Sequence, residues 1–252
     1  MKLGKTAVMF ALTAAMAGVQ LGASTAAHAA PDTYMFHTFT SGGIVLKWFR
    51  DQFCEGLMNQ AAAGDRDAYD LMSQAAATVG AGSEGLVMLP HLQGAMAPES
   101  NPNARGVLIG LTLRHGRAHV IRAVMESISF IIRRNVEELT RLGVPIEQVR
   151  SLGGASRSDV WKQIEADVTG LPVMTTVQSD CATLGAAILA GVGVSLHPGA
   201  REAAALMVGT RRVFEPDAAA HAVYNDLYAQ YRASYDALVP VFDDMASTNS
   251  AA

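Results

Sequence analysis

The longest helical pattern runs over residues 119–142. Val120, Val124, Ile128 and Ile131, with Met125, Ile132, Val136 and Leu139, form one apolar stripe, because positions three and four apart share a helix face. Arg133, Arg134, Glu137 and Glu138 mark the face expected to be wet, and Gly143 is placed to stop the helix. A helix is predicted from Gly43 over residues 43–52, extending towards Gln60, with Ile44, Leu46, Trp48 and Phe53 mixed in phase. That mixture predicts burial on more than one side. Residues 65–78 put Ala68, Leu71, Met72 and Ala75 on one face. Further helices are predicted over 158–168, over 181–190 with Ser179 or Asp180 as cap, over 201–207, and over 217–243 with a break or kink near Pro240. Short runs at 34–39, 86–89, 107–111, 149–152, 173–176 and 211–214 read as strands, with 173–176 at an edge. Residues 90–106 hold three prolines and two glycines and predict a long ordered loop, a kind of segment that is often functional. Strands alternating with helices predict a layered α/β domain.

Half the residues are apolar and 17% are charged, which implies a packed core rather than disorder. The first 29 residues stand apart. Lys2 and Lys5 precede an apolar run at 7–17, and Ala27-His28-Ala29 follows. This is the layout of a secretory signal peptide, with an alanine-rich terminal helix as the alternative. Its apolar run is too short for a good membrane span, and no later stretch reaches 18 unbroken apolar residues. The formal net charge is −4, without a lysine or arginine cluster, which argues against nucleic acid as a partner. Cys54 and Cys181 are too few and too far apart for a zinc or redox motif. They read as two core thiols, with one disulfide after export as the alternative.

Candidate chemistry concentrates at Ser151-Leu-Gly-Gly-Ala-Ser-Arg-Ser158. The segment reads as a strand, a double-glycine turn and a helix start. Two glycines let backbone pass close to a ligand, and the first N–H groups of the helix point at an anion. An ordinary turn with glycine for tight packing is the plain alternative. Trp161 and Gln163 read as packing and capping residues. His115 and His119, four apart, can share a helix face as metal ligands, but no third ligand is evident. His91 is expected at the surface of its loop, and nothing pairs Glu99 or Asp159 with a substrate. Ser195-Leu-His197 lacks the glycine elbow of a serine hydrolase.

Several separate motifs resemble one family in order and spacing. Gly106-Val-Leu-Ile-Gly110-Leu111, followed after seven residues by His119-Val120 and Ala123-Val-Met-Glu126, resembles the second signature of the FGGY carbohydrate kinases. Ser41-Gly-Gly43 through Lys47-Trp-Phe-Arg-Asp51 resembles their nucleotide-side helix. Leu89-Pro-His-Leu-Gln-Gly94 through Pro98, with Asn103-Ala-Arg-Gly106, resembles the loop before that signature. The xylulokinase-like branch is nearest in wording, and the resemblance covers about residues 37–244. It implies an actin-like (ribonuclease-H-like) ATPase lobe, α/β with a mixed sheet flanked by helices, and specifically the nucleotide-side C-terminal lobe at 30–252. It implies ATP and Mg2+ as cofactors and an adenine nucleotide as partner. Gly154 would lie against the α-phosphate or ribose, and Ser158 by the adenosine. Gly153 would serve the turn, and Gly43 and Lys47 would face the nucleotide. Lys47 stands where some relatives have glutamine; it can meet a phosphate or extend to water. The resemblance gives His119 a structural role.

Two departures qualify this. No Asp-x-Gly-Thr or Asp-x-Gly-Ser phosphate loop occurs, and Gly94-Ala-Met-Ala-Pro98 replaces Gly-Glu-Arg-x-Pro. The chain is therefore expected to keep the adenosine half of a kinase site without the phosphate clamp or the base, and no catalytic residue is assigned. Three readings stay open. The first is a sugar-kinase lobe, ancestrally acting on a ketose or polyol and inactive alone. The second is a subunit completed by a separate N-terminal lobe or a homo-oligomer, with an exposed apolar seam. The third is an exported binding or scaffold domain. The leader implies the periplasm or secretion, whereas the resemblance implies the cytoplasm.

Overall fold

The computed structural model describes residues 42–250. The signal-peptide reading and the strand expected at 34–39 lie outside the described residues.

Two helices, α1 (Gly43–Phe53) and α2 (Glu55–Ala63), stand where one was expected to continue. Buried Cys54 separates them, and its N–H donates to the Arg50 carbonyl. α1 turns Val45, Leu46 and Phe49 inward and leaves Ile44 and Phe53 about half exposed. It thus buries one face, against the expectation from its mixed phase. α3 (Ala68–Ala77) starts later than expected. Asp67 is its cap, accepting from the Tyr69 N–H at 2.8 Å.

β1 (Val87–Pro90) and β2 (Gly106–Ile109) pair antiparallel, from Val87 opposite Ile109 to Pro90 opposite Gly106. The proline-rich loop closes this pair. The next element, α4 (Arg117–Arg141), is the central helix, with every residue from Ile121 to Ile132 buried. The face expected to be wet is half-buried instead. Arg134 reaches both Glu99 and Glu138, and the Arg133 guanidinium lies 4.3 Å from the centre of the Tyr228 ring.

The second sheet holds β3 (Val149–Ser151), β4 (Val173–Thr176) and β5 (Thr210–Phe214) in that spatial order. β3 pairs parallel with β4, and β4 pairs antiparallel with β5, so the sheet is mixed. The parallel pair needs a crossover, supplied by a 3-10 turn (Gly154–Arg157) and α5 (Asp159–Thr169). β4 is the central strand rather than the expected edge. The chain returns through α6 (Cys181–Gly193) and α7 (Ala200–Met207) to lay β5 along its other side. Val149, Ala166, Val173 and Phe214 form the small core between sheet and α5.

α8 (Ala218–Ser250) runs past Pro240 without the expected break. Tyr224, Leu227, Tyr228, Tyr231, Tyr235 and Phe242 recur at helical spacing and are buried. Phe130 of α4 meets the rings of Tyr224, Tyr228 and Tyr231 at centroid distances of 6.2, 5.7 and 5.3 Å. Trp161 of α5 is buried as expected, and its Nε1–H donates to the Met125 carbonyl at 3.1 Å. In contrast, α6, α7 and their flanks leave Val177, Leu189, Val194, Leu196 and Leu206 largely exposed. No helix among the described residues is long and apolar enough to cross a membrane.

Candidate functional site

β3 delivers the chain to Gly153, where φ is +79°. L side chains rarely adopt that conformation, so the backbone itself demands glycine here. The Gly153 N–H donates to the Ser179 carbonyl at 3.1 Å, and its carbonyl accepts from the Ser156 Oγ–H at 2.7 Å. These bonds fix the turn against the start of α6.

Gly154 is different. It is exposed, it lacks a positive φ, and a Cβ built on it would meet nothing within 4 Å. Nothing in the described packing requires glycine there. Open space over an exposed backbone at the mouth of a strand–turn–helix is what a closely approaching ligand needs.

Four residues on, Ser158 caps α5. Its Oγ accepts from the Trp161 N–H at 3.2 Å and lies 2.8 Å from Ser73 Oγ of α3. The side chain is thereby tied into the α3–α5 contact. Asp159 follows, one oxygen 2.6 Å from Arg211 and the other 2.7 Å from Arg212, which straps β5 to the start of α5. Beneath the turn, buried Lys162 donates to Ser151 Oγ at 2.9 Å and pairs with buried Glu165. A cleft of about 290 Å³ opens between α3 and this helix start, lined in part by Arg66, Ser73, Arg157, Ser158, Asp159 and Arg211.

Gly153, Gly154 and Ser158 therefore lie on one strand–turn–helix. Gly43 and Lys47 lie on α1 and do not line the cleft. Gly43 is exposed with open space over it. Lys47 Nζ lies 2.6 Å from Asp51 Oδ2, one turn along its helix, and its side chain is 58% exposed. Sequence reasoning missed Arg66, Ser73, Arg157 and Arg211. Arg157 sits inside the motif read for its glycines; the others are brought in from distant segments without a local signal.

The histidine expectations change. His115 lies in the turn before α4, so it shares no helix face with His119. Each ring accepts a backbone N–H, His115 from Thr112 and His119 from Gly116. Among the described residues no group of three or more His, Cys, Asp or Glu is placed to hold a metal. His91 is not a surface residue. It is 3% exposed, packs edge-on against Tyr235, and neither ring nitrogen has a hydrogen-bond partner. Burial pushes its pKa down to about 4. Cys54 and Cys181 are free thiols rather than a disulfide, and burial pushes the Cys54 thiol up.

Comparison with known proteins identifies the family and the fold. The C-terminal domain model of the FGGY family of carbohydrate kinases matches residues 3–194. A gluconokinase of Bacillus subtilis (strain 168) is 36% identical over 150 residues, covering 59% of this chain and 29% of that protein. A xylulose kinase of Staphylococcus epidermidis is 28% identical over 209 residues, covering 82% of this chain and 40% of that protein. The solved structure of a ligand-bound xylulose kinase from Lactobacillus acidophilus superposes with a TM-score of 0.69 at 28% identity, over 82% of this chain and 40% of that one. The chain thus spans well under half the length of these relatives, and its fold is the actin-like ATPase lobe they share. By the family match and this structural likeness together, the chain belongs to the FGGY family of carbohydrate kinases, through that family's C-terminal domain.

Proposed function

We propose that this chain is a xylulokinase-like nucleotide-binding lobe that holds ATP or ADP at Gly153, Gly154 and Ser158 and transfers no phosphoryl group alone. The carrying observation is Gly154, an exposed glycine with neither a strained φ nor a neighbour to require it. The nucleotide's phosphate–ribose junction would use that space. The bracing of Gly153 to Ser179 and of Ser158 to Ser73 pre-organises the turn for it. Gly43 and Lys47 belong to the same reading as residues that face the nucleotide from α1, with Lys47 leaving Asp51 to meet it. Mg2+ would ride on the nucleotide's phosphates and neutralise charge there.

Phosphoryl transfer to a ketose or polyol also needs a base at the acceptor hydroxyl. Asp159 and Glu99, which nothing in the sequence pairs with a substrate, are engaged elsewhere: Asp159 by two arginines, Glu99 by Arg134. The exposed apolar side chains of α6 and α7 favour the reading in which a separately supplied N-terminal lobe, or a second copy, completes the enzyme. The alternative is an exported scaffold role, which rests on reading residues 1–29 as a signal peptide.

Hydrogen exchange with and without ADP tests the site. Slowed exchange is expected at residues 153–161; slowing confined to other segments would contradict the assignment. ATP-dependent phosphorylation of xylulose, gluconate or glycerol by the purified chain would contradict its inactivity alone.

A further inference from the structure

The cleft beside Ser158 carries more positive charge than the nucleotide reading uses. Arg66, Arg157 and Arg211 line it, against Asp70 and Asp159. Asp159 is already neutralised twice, by Arg211 and by Arg212. Among the described residues neither Arg66 nor Arg157 makes an ion pair. Arg66 spends one guanidinium N–H on the neutral Gln74 side-chain oxygen at 2.9 Å. Arg157 spends one on the neutral Ser179 hydroxyl at 3.1 Å. Each guanidinium carries five donors in a planar fork, so each retains most of them. Both line the space between α3 and the start of α5, where the helix dipole adds its own positive end. In a chain of net charge −4, two guanidinium groups held in place by neutral anchors are available to an oxyanion.

We propose that this cleft is a phosphate-binding site in its own right, which takes a phosphate group on Arg66 and Arg157. Forked N–H donors match the oxygens of a phosphate in bidentate fashion. Ser73 and Gln74 supply neutral polar rim, and Asp70 lines the cleft with no ion pair among the described residues. That carboxylate disfavours a highly charged ligand and sets the affinity low. The phosphate group comes from a nucleotide or from a phosphorylated sugar; both present the same chemistry to the cleft.

The test is a titration of the full chain with inorganic phosphate at low ionic strength, following arginine Nε–H resonances. Saturable shifts at Arg66 and Arg157 are expected, and absent with chloride at equal ionic strength. Arg66→Gln and Arg157→Gln should each weaken binding about tenfold, the scale of one charge-assisted contact. Arg157→Lys should recover only part of the loss, since it keeps the charge without the fork. Both arginines are exposed, so the variants should match wild type in thermal unfolding. Competition then identifies the source. Displacement by ADP assigns the cleft to the nucleotide, and displacement by xylulose 5-phosphate but not ADP assigns it to a phosphorylated sugar. A folded chain without saturable phosphate binding, or binding unchanged in both glutamine variants, overturns the proposal.

Discussion

Glu126 and Arg122 face each other one turn apart on α4, Nε to Oε1 at 2.8 Å, with both side chains buried. The same carboxylate accepts from the Gly82 N–H, the Ser83 hydroxyl and the Tyr224 hydroxyl. Arg122 also reaches the Tyr224 hydroxyl and the Val79 carbonyl. Burial pushes the Glu126 carboxyl up in pKa, against the pull of these donors. The pair pins α4, α8 and the turn before β1 to one point. Arg122→Met leaves a buried carboxylate short of its counter-charge and should cost about 3–5 kcal/mol. The double change Arg122→Met with Glu126→Leu should cost less than the two single losses summed. Urea unfolding of the three variants checks this.

Two glycines separate folding from binding. Gly170 ends α5 at φ +67°, and a Cβ there would fall 2.8 Å from the His221 ring. Gly170→Ala should therefore cost about 1–2 kcal/mol or more. Gly154→Ala meets no atom and no strained φ, so it should leave stability unchanged or raise it by up to about 1 kcal/mol. Thermal unfolding of both variants reads the contrast directly.

Ser158 serves the helix as well as the cleft. Ser158→Ala removes the cap on Trp161 and the bond to Ser73, and should cost about 1 kcal/mol. Ser158→Asn keeps a capping side chain and should recover much of the loss. Chemical denaturation at neutral pH measures both.

His91 makes stability depend on acidity. Its folded pKa is about 4, against 6.5 for the free group, because burial disfavours the charged ring. Between these values the unfolded chain binds a proton that the folded chain refuses. Stability contributed by the neutral ring is present above about pH 6.5, is lost as pH falls towards 4, and then levels. The loss is on the order of 3 kcal/mol over that window. His91→Phe should flatten it, and unfolding midpoints taken from pH 7 to pH 4 supply the comparison.

Most elements were legible because their signals are local. The stripe on α4 and the glycines of the β3–α5 turn lie in adjacent residues. What was not legible depends on distant partners. β4 reads as an edge strand until β5 is placed beside it. His91 reads as a surface loop residue until Tyr235, far along the chain, covers it. The arginines around Ser158 come from the loop before α3, the turn and β5, so no spacing rule gathers them. The single helix expected over residues 43–60 divides because the buried Cys54 cap interrupts the repeat.

The turn at Gly154 is proposed to receive an adenine nucleotide, and calorimetric titration of the chain with ADP, beside Gly154→Val, tests this. Saturable binding is expected for wild type and is expected to be lost when the valine side chain occupies the open space, with both proteins equally folded. Equal binding by the two proteins, or none by a folded wild-type chain, would contradict it.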